Sequence, residues 1–350
     1  MTSIADATAR ESFPGTNGTA GDLTGSAATR LHEISGAVTD FPATGASAAA
    51  KVRHSWLADY QDLLKVRVTA LVVLTAWAGF YLGSVRSGIP AMHWGLLEAL
   101  IGIGLVSGGA ACLNEVIERK TDARMPRTAR RPLASGRMSL FHGLAVGMAC
   151  LMVGGVILAY FTNPVTVVLT LLTAVSYVVV YTPLKRYTTL ATFIGAFPGA
   201  MPPLLGWTAA RGVIEWPAVA LFAILFVWQF PHFMAIAWLY RADYARAGIR
   251  MLPVVQPDGW STVLEALVYA VLMIPVSMVP FYLHLAGPFY LVTALLLGSI
   301  YLGYTIRFAR ITRACSAAES RGYARDLLKA SVIYLPILLT VMMLNATGRR

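Results

Sequence analysis

The sequence predicts an all-α polytopic membrane protein, and three observations carry that prediction. Of its 350 residues, 57% are apolar and only 13% charged, whereas soluble domains carry about 25% charge. Apolar windows of about 20 residues, the length that crosses about 30 Å of hydrocarbon, recur from residue 66 onward. The basic residues then fall on alternate connections, twenty-two on one side against four on the other. The positive-inside rule converts that asymmetry into a cytoplasmic N-terminus. Nine spans are expected, which puts the C-terminus outside. Lipid offers backbone groups no water, so each span is read as a helix.

Residues 1–55 are rich in Ala, Thr, Ser and Gly and lack apolar periodicity. They read as a disordered cytoplasmic tail. No continuous apolar stretch marks a signal peptide, and Asp6, Glu11, Asp22, Glu33 and Asp40 argue against a transit peptide. Residues 56–350 form the membrane domain. Its first span, 66–84, follows Lys65 and Arg67; the second, 96–114, leads into a connection with seven basic residues between 115 and 139. Spans 141–161 and 164–182 are joined on the outside, and Lys185 and Arg186 mark the inside turn to span 189–208. That fifth span holds Gly195, Gly199, Pro202, Pro203 and Gly206, which permit close helix approach and a kink. Span 217–239 ends before Arg241, Arg246 and Arg250; spans 263–284, 289–306 and 328–346 complete the series. The net charge of +11 is therefore topology plus one site, and no nucleic-acid partner is expected. Cys112, Cys150 and Cys315 lack paired ligand spacing and read as packing residues.

The site lies in NEVIERKTDARMPRTARRPLASGR, residues 114–137. Asn114, Glu118 and Asp122 recur every fourth residue and so share one helical face, which Pro126 ends near Met125. Solvated pairs such as Glu115 with Arg119 are the bland alternative. Against it, like charges four residues apart repel by a few tenths of a kcal/mol. Two carboxylates on one face suit Mg²⁺, which leaves its other positions to water and phosphate. The arginines that follow, Arg127 and Arg131 among them, suit the phosphate itself.

This stretch, with Met125, Arg127, Thr128 and Arg131 to Leu133, resembles the first motif of the UbiA superfamily of intramembrane prenyltransferases. YTPLKR (181–186), GAFPGAMPPLLGW (195–207), WQFPHF (228–233) and DYARAGIRMLPVV (243–255) narrow the resemblance to its heme-farnesylating branch. The likeness covers roughly residues 60–346. Two departures stand out: Glu118 where the superfamily usually has Asp, and Arg250 where its members often have Pro.

The resemblance implies nine helices around a central cavity in a bacterial cytoplasmic membrane. It also implies farnesyl transfer from farnesyl diphosphate to heme B, giving heme O for terminal oxidase assembly. Mg²⁺ is the implied cofactor, on Glu118, Asp122 and Asp243, with Asn114 beside them. Arg127, Arg131, Lys185 and Arg186 would hold the diphosphate. Heme A synthase or oxidase-assembly proteins would act downstream. Three of these residues have competing readings: Asp243 as a partner of Arg241 or Arg246, and Lys185 and Arg186 as topological anchors. His232 and Gln229 lie inside the sixth span. His232 reads either as a heme contact or as a histidine bonded to a neighbouring helix. An aromatic quinone precursor as acceptor, and a transporter of an anionic lipid, are the rival functions; the absence of inverted halves weighs against the transporter.

Overall fold

The computed structural model describes residues 55–90 and 93–347, so the expected tail, residues 1–55, lies almost wholly outside the described residues. The described residues are helical, with one isolated antiparallel bridge between Ala286 and Ala346. A short helix, α1 (Trp56–Leu63), precedes α2 (Val66–Ser87), α3 (Trp94–Asp122) and α4 (Leu140–Phe161). Helix α5 (Pro164–Val175) continues through a π-helical stretch, Ser176–Tyr181, and a last turn, Thr182–Leu184. After it come α6 (Ala191–Arg211) and α7 (Trp216–Leu239). Two short helices, α8 (Arg241–Ala247) and α9 (Leu252–Val255), lead to α10 (Trp260–Tyr282), α11 (Pro288–Phe308) and α12 (Ala317–Leu344).

Among the described residues, eight helices are long and apolar enough to cross a membrane by length and composition. Helix α6 occupies the place of the expected fifth span and stays continuous through three internal prolines, but it is not one of those eight. The expected ninth span was placed at 328–346. Its helix starts eleven residues earlier, at Ala317, where Ser316 accepts the Glu319 N–H at 3.1 Å and caps it.

Lipid provides no hydrophobic drive between helices, so their contacts depend on close approach of small residues. At the α2–α6 seam, a Cβ on Gly79 would collide with the Pro203 carbonyl, and one on Gly206 with the Ala76 carbonyl. Gly206 and Pro203 of the fifth span thus serve contact with α2, while Gly195 makes room for Tyr181 and Gly199 for Gln229 of α7. Across α3 and α4, Gly109 faces the Gly147 carbonyl and Gly154 the Gly102 carbonyl. Helix α7 packs against α6, α10 and α12 and anchors the largest buried apolar cluster. This alternation brings the start of α2 and the ends of α3, α5 and α7 to one end of the bundle.

Candidate active site

Helix α3 runs unbroken to Asp122, so Asn114, Glu118 and Asp122 stand on successive turns, only 1%, 6% and 1% exposed. A buried carboxylate without a partner is costly, and here each has one. Lys185 Nζ lies 2.6 Å from Glu118 Oε1, and Arg131 Nη1 lies 2.8 Å from Asp122 Oδ2. Asn114 ties the group together. Its Nδ2 donates to Glu118 Oε2 and to Thr182 Oγ1, both at 3.0 Å, and its Oδ1 accepts from Lys65 Nζ at 2.6 Å. Burial, aided by the nearby Arg131 and Lys185 charges, lowers the Lys65 ammonium to about 8.

Each cation reaches the site through a local departure from regular helix. Lys65 is left-handed, at φ 47°, in the corner between α1 and α2. The π-helical stretch changes the register of the last turns of α5, and Thr182 and Lys185 follow it. Arg131 sits in a connection folded back onto α3. Thr128 Oγ1 donates to the Asp122 carbonyl at 2.9 Å, and the Leu133 N–H donates to Glu115 Oε1 at 3.1 Å. Glu115 is therefore a wholly buried anchor of that loop; the alternative of a solvated pair with Arg119 does not form, and Arg119 donates to the Val116 carbonyl instead. Farther along, Arg137 binds Asp59 of α1 at 2.7 Å and the Arg130 carbonyl at 2.8 Å.

The remaining predicted residues form a rim. Arg127 donates to the Tyr244 hydroxyl at 2.8 Å and lies over the Tyr240 ring, 4.3 Å from its centre. Met125 packs with Ala247 and Ile249, which joins this loop to α8. Arg186 donates to the Thr121 hydroxyl. Asp243 pairs with Arg246, and among the described residues no three His, Cys, Asp or Glu side chains come together as a metal cluster. The structure thus gathers Asn114, Glu118, Asp122, Arg131 and Lys185, and leaves Asp243 apart. Lys65 and Thr182 were not predicted. Lys65 had a sequence signal in its position just before the first span; Thr182 had none, because its role depends on the π-helical register.

Two carboxylates one turn apart fit Mg²⁺, whose all-oxygen shell takes one or two carboxylates. Three half-buried cations around them fit a polyanion that arrives with the metal.

Deeper in α7, Gln229 Nε2 donates to the Ala196 carbonyl at 3.1 Å and the Leu225 carbonyl at 3.0 Å, which spends both amide hydrogens on backbone. His232 Nδ1 lies 2.8 Å from Ser331 Oγ of α12, and the Trp228 indole stacks on its ring with centres 4.8 Å apart.

The model of the UbiA prenyltransferase family matches residues 71–327. A protoheme IX farnesyltransferase of Koribacter versatilis is 55% identical over 293 residues, covering 84% of this chain and 94% of the relative. One from Solibacter usitatus is 42% identical over 300 residues, covering 83% and 99%. Among solved structures, digeranylgeranylglyceryl phosphate synthase aligns with TM-score 0.66 at 18% identity, over 83% of this chain and 98% of that one. A UbiA homolog from Archaeoglobus fulgidus bound to GPP and Mg²⁺ aligns with TM-score 0.53 at 14% identity, over 81% and 99%. These two likenesses concern the fold.

Proposed function

The chain belongs to the UbiA prenyltransferase family, and from that premise we propose that it transfers a farnesyl group from farnesyl diphosphate to a vinyl group of heme B, yielding heme O for terminal oxidase assembly. The observation that carries this reading is the cradle of two buried carboxylates and three half-buried cations at one end of an apolar bundle. The relatives named protoheme IX farnesyltransferase support the choice of donor and acceptor.

Lys65, Lys185 and Arg131 hold the diphosphate oxygens and meet the negative charge that grows on them as the allylic C–O bond breaks. Glu118 and Asp122 would hold Mg²⁺, which when bound supplies counter-charge to the leaving diphosphate. Asn114 keeps Glu118 and Lys65 in register. Arg127 and Arg186 extend the positive field around the rim, and Asp243 would serve the metal only after giving up Arg246. The apolar interior keeps water from the farnesyl cation until its new carbon–carbon bond to the vinyl group has formed. Water then adds its oxygen to the heme side and loses a proton. His232 contacts the heme within α7, with Gln229 on the adjoining α6 side. In this reading nine spans cross a bacterial cytoplasmic membrane, N-terminus inside and C-terminus outside, with the cradle on the inner side.

Purified protein incubated with heme B, farnesyl diphosphate and Mg²⁺ should convert heme to the hydroxyfarnesylethyl product seen by mass analysis. EDTA should stop the conversion and added Mg²⁺ restore it. Unchanged heme after incubation would refute the acceptor, and conversion indifferent to chelation would refute the metal.

A further inference from the structure

The polar network around His232 determines which ring nitrogen carries its proton. Ser331 has one hydroxyl hydrogen, and it is donated to the Leu328 carbonyl of its own helix at 2.6 Å. The Ser331 oxygen, 2.8 Å from His232 Nδ1, is therefore left to accept. Nδ1 must bear the hydrogen, and in the neutral ring Nε2 keeps the lone pair.

The same network holds the ring still. Trp228, one turn before His232, covers one face of the imidazole and donates its indole N–H to the Ser331 carbonyl at 2.9 Å. The Tyr301 hydroxyl of α11 donates to the Trp228 carbonyl at 3.1 Å. Pro231 lacks the N–H that would bond the Val227 carbonyl, so these side-chain ties help hold α7 at the interrupted turn. Gln229 is bound to α6, while Trp228 and His232 are bound to α12. On the helix surface His232 stands three residues from the first and four from the second, so its ring lies between α6 and α12. Among the described residues Nε2 makes no hydrogen bond.

We propose that Ser331 is a positioning residue: by accepting from Nδ1 it fixes His232 as the Nδ1–H tautomer and presents the Nε2 lone pair as a ligand to the iron of the heme acceptor. The ligand role rests on the heme reading of the previous subsection; the tautomer does not. Histidines that bind metals are usually oriented by a partner on the other ring nitrogen, and losing that partner costs 10- to 100-fold in affinity. Ser331 supplies that partner here, from a helix 99 residues away in sequence.

The two parts are tested separately on the full-length protein. With ¹⁵N-labelled histidine and no heme, the signal lost in His232→Ala should show a protonated Nδ1 and an unprotonated Nε2. A protonated Nε2 would overturn the proposal. Hemin titration should then give a Soret band that His232→Ala abolishes. Ser331→Ala should shift that band and weaken hemin binding roughly 10-fold or more, and Ser331→Thr should restore both. Binding of a non-hydrolysable farnesyl diphosphate analogue, unchanged in each variant, reports that the fold is intact. An Nδ1–H ring with hemin binding and spectrum indifferent to Ser331→Ala would overturn the positioning role. Normal hemin binding and an unchanged spectrum in His232→Ala would overturn the ligand role and leave the tautomer standing.

Discussion

Asp122 is only 1% exposed and is bonded to Arg131 at 2.8 Å. Asp122→Asn keeps the shape and removes the charge, so turnover should fall at least roughly 100-fold, as expected on losing a stabiliser of transition-state charge. The protein should still be recovered folded in the membrane; near-normal turnover at saturating Mg²⁺ would remove Asp122 from the site. Lys65 gives a pH test. Its ammonium is lowered to about 8 by burial and neighbouring cations, so the charge is present below that pH and lost above it. Binding of a farnesyl diphosphate analogue should therefore weaken as pH rises through 8 to 9. Lys65→Arg, which stays charged, should flatten that fall, as isothermal titration at several pH values can show. A fall of the same steepness in the variant would assign it to another group.

At the scale of elements, the α2–α6 seam depends on having no side chain at two positions. Gly206→Val would press a branched side chain against the Ala76 carbonyl. The unfolding midpoint in detergent should drop by the equivalent of about 1–3 kcal/mol or more, the cost of overpacking. Gly303, with nothing near a built Cβ, should accept alanine with little change. Most elements were legible because hydropathy reports burial in lipid, which all the long apolar runs share. Those that escaped are short or polar: α8 and α9 have only seven and four residues. Helix α1 is eight residues long, and the first turns of α12 carry Glu319, Arg321, Arg325 and Asp326. The acidic face was legible for a similar reason, because a spacing of four needs only regular helix. Lys65 and Thr182 were not, since a left-handed corner and a π-helical register place them. The anchoring role of Glu115 was not legible either, because its partner, the Leu133 N–H, depends on how the loop folds back.

For the whole molecule, orientation is the open quantity. A reporter fused after residue 136 should register as cytoplasmic and one fused after Arg350 as periplasmic; both on one side would make the number of spans between them even and remove one from the proposed nine. The cradle has a further consequence in this larger frame. Its charges come from separate parts of the chain: Lys65 before α2, the acids on α3, Arg131 in the following loop and Lys185 after α5. With neither ligand bound, Lys185 neutralises Glu118 and Arg131 neutralises Asp122, while Lys65 rests on the Asn114 amide oxygen. Mg²⁺ alone must pull carboxylates away from their cations, and diphosphate alone must pull cations away from their carboxylates. Each ligand leaves behind the charges that the other requires, so their affinities are coupled, and linkage makes the coupling equal in both directions. Mg²⁺ binding without diphosphate should therefore be feeble, and under the proposed function metal and prenyl donor would be taken up as one unit.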